Sequence, residues 1–124
     1  MTAEFNNSKP IYSQIVEKIL LAIAKGELAP GAKVNPVRDM AAEFKVNPNT
    51  MQRSLAKLEE MGYMYTERTS GRYVTNDIGL IESLKASLPA KITEEYITEM
   101  VNCGIARDAI PSYVNDFIER GRGL

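Results

Sequence analysis

The sequence predicts a mostly α-helical protein with one small β-hairpin, a winged helix-turn-helix followed by a C-terminal helical dimerisation arm. Three observations support this. Two short apolar stripes, over residues 37–44 and 51–58, are separated by little more than Lys45-Val46 and a capping Asn47. Two β-rich runs follow directly, with a glycine-containing tip between them. The last 49 residues then carry two further helical stripes whose apolar faces cannot be buried alone.

The elements can be justified in chain order. The first helix starts after Ser8-Lys9-Pro10 and ends near Gly26. Ile11, Ile15, Ile19 and Ile23 recur at four-residue steps, joined by Tyr12, Val16 and Leu20. That apolar face is wide enough to pack on the helix-turn-helix and on a further element. Pro30-Gly31 marks a turn. In the second helix Asn35-Pro36 supplies the cap and first-turn residue, and Val37, Met40, Ala41 and Phe44 form the stripe. The turn that follows is short enough to force two packed, crossing helices.

The third helix opens on Asn47 as N-cap with Pro48 in the first position, where its missing N–H costs nothing. At about 100° per residue, Met51, Leu55 and Leu58 share one face, with Ser54 and Met61 at its edge. Asn49, Gln52, Arg53, Ala56 and Glu60 share the other. Gly62 ends the helix as a C′ glycine. Tyr63, Met64, Tyr65 and Thr66 read as a strand, and Arg72, Tyr73, Val74 and Thr75 as its partner. Between them lies Glu67-Arg68-Thr69-Ser70-Gly71, with Gly71 available for a positive-φ position.

The tail begins with a cap at Asn76 or Asp77, after which Ile81, Leu84 and Leu88 keep heptad-like spacing. Pro89 interrupts, and the stripe resumes one residue out of phase at Ile92, Tyr96 or Ile97, Met100 and Val101. A kinked long helix and two abutting helices both explain that slip. Asn102-Cys103-Gly104 closes the segment. A last helix, over residues 107–119, carries Ile110, Val114, Phe117 and Ile118. The expected domains are therefore 1–75 and 76–124.

The third helix carries the chemistry. Asn and Gln make bidentate bonds to adenine edges, and Arg to guanine, so Asn49, Gln52 and Arg53 on one exposed face suit a DNA major groove. Asn47 and Thr50 sit where a polar side chain and free backbone N–H groups can hold a phosphate. Arg38, on the first turn of the second helix opposite its stripe, faces the sugar-phosphate backbone or the groove edge in such a module. Arg68, Gly71 and Arg72 at the hairpin tip suit phosphates or the minor groove. The bland alternative is a solvated polar face on a core helix, which the cap, turn and hairpin around it disfavour.

Composition excludes other classes. The chain has 124 residues and 44% hydrophobic content, enough for one core domain and a short appendage. With no histidine and one cysteine, His-based metal sites, Cys clusters and Ser/Cys-His catalysis are excluded, so no enzyme, metal or cofactor is expected. There is no glycine-rich phosphate loop, signal peptide or apolar run of about 18 residues, so the expected location is cytoplasmic and away from membranes. The net charge of −1 is unevenly spread. Residues 1–75 hold ten basic and eight acidic side chains, net +2, and residues 76–124 five and eight, net −3. So small an excess makes affinity depend on placed contacts more than on bulk charge.

Residues 10–74 resemble the DNA-binding domain of GntR-type bacterial transcription regulators. The resemblance rests on Pro10-Ile11-Tyr12-Ser13-Gln14-Ile15, Lys25-Gly26-Glu27-Leu28-Ala29-Pro30-Gly31, Val37-Arg38-Asp39-Met40-Ala41, Val46-Asn47-Pro48-Asn49-Thr50-Met51-Gln52-Arg53, and Leu58-Glu59-Glu60-Met61-Gly62. Two departures stand out. Val34-Asn35-Pro36 replaces the family's Leu-Pro-Ser, removing a serine that contacts phosphate, and the first wing glycine is Thr69. The tail of about 50 residues is too short for the usual large effector domain. It resembles that of the YtrA-like subfamily, whose members repress operons for membrane ABC transporters.

The resemblance implies a repressor that binds a palindromic operator in double-stranded DNA as a homodimer. Ile81, Leu84, Leu88, Ile92, Tyr96, Met100, Val114 and Phe117 are then the expected dimerisation residues. The alternative for the tail is extra core folded back on the helix-turn-helix. The alternative for the whole chain is a winged-helix module that binds another protein, which would be expected to show apolar anchors where Asn49, Gln52 and Arg53 stand. Cys103 reads as a buried residue at a helix end, and Glu94, Glu95 and Glu99 as a solvated face. The sequence names no small-molecule effector, and the Pro89 region is the place where one would act.

Overall fold

The computed structural model describes residues 4–121. Within them the order is α1 (Ile11–Lys25), α2 (Val37–Phe44), α3 (Pro48–Glu60), β1 (Met64–Glu67), β2 (Gly71–Val74), α4 (Ile78–Asn102) and α5 (Ile110–Gly121). A 3-10 turn, Arg107–Ala109, leads into α5. The chain is mostly α with one antiparallel hairpin, as the periodicities predict. It divides into two compact units, Met1–Lys85 and Ala86–Leu124.

The core of the first unit follows from the stripes. Ile15, Ile19 and Ile23 of α1, Met40, Ala41 and Phe44 of α2, and Met51, Leu55 and Leu58 of α3 are all buried, together with Met64 and Val74 of the hairpin. Helix α3 packs on α1, on α2 and on β1, so it is the hub of this unit. The α2–α3 turn is closed by Lys45, which adopts a left-handed conformation at φ 57°, and by Val46 donating its N–H to the Ala41 carbonyl at 3.0 Å. Asn47 caps α3 as expected, its Oδ1 accepting the Asn49 N–H at 2.7 Å, with Pro48 first in the helix. Asn35 does not cap α2. That helix starts one residue later, behind Pro36, with no side-chain cap bond.

The hairpin pairs Met64 with Val74 through Glu67 with Gly71, one residue later in β1 and one earlier in β2 than the residue pattern suggests. The sequence pattern did not reveal its third partner. Lys33 bridges Tyr73, Val34 N–H donates to the Arg72 carbonyl, and Val74 N–H to the Ala32 carbonyl, both at 2.9 Å. Stretch 31–34 thus runs along β2 and anchors the wing from behind. Tyr65 and Tyr73, directly opposite in register, stack with centroids 5.6 Å apart.

Asp77 caps α4, its Oδ1 accepting the Leu80 N–H at 3.0 Å. The helix runs without a break through Pro89, which decides between the two arrangements the phase slip allowed. Ile81 and Leu84, expected on an intermolecular face, are each only 4% exposed within the single chain. The first two turns of α4 fall within the first unit, which ends at Lys85, so these two side chains are buried there rather than left for a second copy.

In the second unit Ile110 is buried, whereas Ile92, Val101, Tyr113, Val114, Phe117 and Ile118 remain exposed. Cys103 is exposed, contrary to the expectation of burial, because it lies in the turn that Gly104 closes at φ 89°. Glu94, Glu95 and Glu99 face solvent as expected. No helix among the described residues is long and apolar enough to cross a membrane.

Gly31 offers a test of how the wing is anchored. It holds φ 74°, and a Cβ added there would lie 2.5 Å from the Asn76 Oδ1. Gly31→Ala should destabilise the protein by about 1–2 kcal/mol in urea titration. Adding Asn76→Ala should recover only the steric part, leaving the backbone strain.

Candidate nucleic-acid interface

With Met51, Leu55 and Leu58 turned fully inward, α3 presents Asn49, Gln52 and Arg53 to solvent on its opposite side. The structure thus brings the three expected groups onto one exposed face, near the N-terminal end where a recognition helix enters a groove. Thr50 is half-buried in the same turn, and its carbonyl accepts a bond from Ser54 Oγ at 3.0 Å. Asn47 has its Oδ1 committed to the cap. Arg38 is exposed on the first turn of α2.

The beginning of α1 joins this face, which no periodicity in the sequence reveals. Tyr12 reads as part of the apolar stripe of α1, but it is only half-buried, and the Arg53 guanidinium lies over its ring at 3.7 Å from the centroid. Ser54, at the edge of the predicted apolar face, is fully buried because its Oγ bonds the Tyr12 carbonyl at 3.1 Å as well as that of Thr50. Pro10, Ile11, Tyr12, Asn49, Thr50 and Arg53 line a cleft of about 360 Å³. The N-terminal ends of two helices open onto it, so two positive helix-dipole ends and one guanidinium face the same space. That combination suits an anionic group such as a phosphate.

The three expected wing residues have different surroundings. Arg68 is exposed at the tip. Gly71 adopts φ 125°, and the Lys33 side chain lies 3.2 Å from where its Cβ would be. Lys33 therefore adds a cation beside the tip end of β2, a residue that hairpin spacing alone does not single out. Arg72 turns inward. Its side chain is 17% exposed and its Nη2 lies 3.5 Å from Glu59 Oε2 on α3, with Nε buried and lacking a hydrogen-bond partner among the described residues. Arg72 shares a face of β2 with the fully buried Val74 two residues on, and Glu59 of α3 offers its guanidinium a partner there.

In this position Arg72 braces the wing against α3. Glu59→Ala would leave a mostly buried cation without its carboxylate, and we expect a loss of about 1–2 kcal/mol in denaturant unfolding. Arg68→Ala, at the exposed tip, should leave stability within about 0.5 kcal/mol of the parent.

Comparison with known proteins agrees with this architecture. The chain is 34% identical to the HTH-type transcriptional regulator YhcF of Bacillus subtilis, over 98% of its own length and all of that protein. It is 35% identical to the HTH-type transcriptional repressor YtrA of the same organism, over 57% of this chain and 55% of YtrA. Among solved structures, a GntR family transcriptional regulator from Listeria monocytogenes superposes with a TM-score of 0.81 at 41% identity, covering 90% of this chain and 98% of that one. Residues 11–74, from the start of α1 to the end of the wing, match the family described as bacterial regulatory proteins, gntR family, and the chain belongs to that family of DNA-binding transcription regulators.

Proposed function

We propose that the protein is a sequence-specific repressor that binds a palindromic operator as a homodimer. The observation that carries this reading is the exposed Asn49, Gln52 and Arg53 face of α3, capped by Asn47 and flanked by Arg38 and by the wing with Arg68 and Gly71. The Asn, Gln and Arg side chains among these are donors or acceptors suited to base edges or phosphates, and no large apolar anchor interrupts the α3 face. Residues 1–75 form the DNA-binding part and residues 76–124 supply most of the arm. The similarity to YtrA, itself named a repressor, supports the sign of regulation. The resemblance to YtrA-like regulators extends the proposal to an operon encoding a membrane ABC transporter.

The second unit supports the dimer. Leu88, Ile92, Tyr96, Met100, Val114 and Phe117 remain for an intermolecular face once Ile81 and Leu84 are committed to the first unit. Phe117 is 66% exposed and Ile92 56%, an apolar display of the kind that marks an interaction surface. Tyr96, Met100, Ile105, Tyr113, Phe117 and their neighbours line an open groove of about 640 Å³, wide enough to receive apolar side chains of a second copy. Each large side chain buried there contributes about 1.5–3 kcal/mol, which offsets the cost of association.

Gel shifts with the chain's own promoter region, with and without excess nonspecific DNA, test the reading directly. Arg53→Ala should cost about 1–3 kcal/mol on the selected site and relax sequence selectivity. Arg38→Ala should weaken binding to all duplexes alike and flatten the salt dependence. A protein that binds every duplex equally would reduce the proposal to nonspecific DNA binding.

Phe117→Glu tests the arm in the full chain. Sedimentation of the parent at micromolar concentration should give a dimer, and the variant a monomer with unchanged helix content. A monomeric parent would remove the dimer from the proposal.

A further inference from the structure

We propose that Tyr12 is a positioning residue for sequence reading: its ring holds the Arg53 guanidinium in the orientation that reaches a base edge. The proposal rests on the base-reading role given to Arg53 above. Arg53 is an exposed side chain with four rotatable bonds, so a bond to a base ordinarily requires it to be ordered on binding. Here its Cζ already lies 3.7 Å from the centroid of the Tyr12 ring.

The geometry suits both tasks at once. A stacked guanidinium uses its face, whereas bidentate recognition of guanine uses its in-plane N–H edge. Stacking on Tyr12 therefore leaves the reading edge free while removing rotamer freedom. It also shields one face of the cation from water, which strengthens the contact.

The platform is fixed to the helix it serves. Ser54, the residue after Arg53, is fully buried and its Oγ bonds the Tyr12 carbonyl at 3.1 Å. The backbone that carries the ring is thus tied to the helix turn that carries the arginine. Tyr12 is only half-buried, and the first unit has a core of isoleucine, leucine, methionine and phenylalanine that does not require its ring. A packing role alone leaves the stacked arginine unexplained.

The test measures full-length protein by fluorescence anisotropy on two duplexes at one salt concentration. One duplex is enriched from a random pool by the parent protein; the other is a shuffled sequence of equal composition. The readout is the ratio of the two affinities. Arg53→Ala should reduce this ratio roughly 5- to 150-fold. Tyr12→Leu should reduce it roughly two- to fivefold. Tyr12→Phe, which keeps the ring, should retain the parent ratio. In an Arg53→Ala background Tyr12→Leu should have no further effect. Melting by circular dichroism checks the fold, and Tyr12→Met replaces the leucine variant if that one does not fold.

Three results would overturn the proposal in distinguishable ways. A parent-like ratio for Tyr12→Leu beside a collapsed ratio for Arg53→Ala would leave the arginine reading bases and the stack idle. An unchanged ratio for Arg53→Ala would remove the base-reading role and the positioning role together. Equal weakening of Tyr12→Phe on both duplexes would assign Tyr12 a phosphate contact through its hydroxyl instead.

Discussion

The packing of α3 against α1 is the constraint on which the rest of the structure depends. Met51, Leu55 and Leu58 are fully buried, as are the isoleucines at positions 15 and 19 that face the same core. Burying one side of α3 so completely fixes its rotation about its own axis, because a helix with no slack on its apolar side cannot roll without opening a cavity. The polar side is then presented at a set angle. Ser54 sharpens this: a buried hydroxyl must find an acceptor, and the carbonyls it uses are those of Thr50 and Tyr12. One small polar residue thereby fixes both the rotation of α3 and the position of the start of α1.

The wing inherits its position from the same helix. Its inner residues Met64 and Val74 are buried, Arg72 meets Glu59 of α3, and stretch 31–34 closes the open edge of β2. A two-stranded hairpin is marginal by itself. Here backbone bonds on one side and an ion pair on the other hold it at a fixed place beside α3. The cation within β2, Arg72, is thus used for internal bracing, while Arg68 at the tip and Lys33 stay exposed. This division accords with the small positive excess of residues 1–75, where ten basic side chains face eight acidic ones.

The two units contrast in how completely they satisfy themselves. In the first, every long apolar stripe finds a partner within the chain. In the second, Ile110 is buried while Phe117, Ile118 and Ile92 are more than half exposed. The difference lies in the number of elements available. Three helices and a hairpin can enclose a core, whereas the end of one helix and a second short one cannot. The apolar surface left over is the physical motive for the dimer proposed above.

The periodic positions of the sequence determined the helices, the caps at Asn47 and Gly62, the hairpin and the grouping of Asn49, Gln52 and Arg53, since all of these follow from spacing along one element. Tertiary structure decided the features that depend on two elements meeting. Spacing along α1 makes Tyr12 look like core, because only the arrival of α3 places an arginine over its ring. Hairpin spacing makes Arg72 look exposed, because only the neighbouring Glu59 draws it inward. Heptad spacing makes Ile81 and Leu84 resemble Ile92, because an apolar stripe records that a face will be buried and not which surface will cover it. The same holds for Cys103, whose exposure is set by the turn that Gly104 closes. Local patterns encode which side of an element is apolar, whereas the partner of that side is a property of the assembled chain.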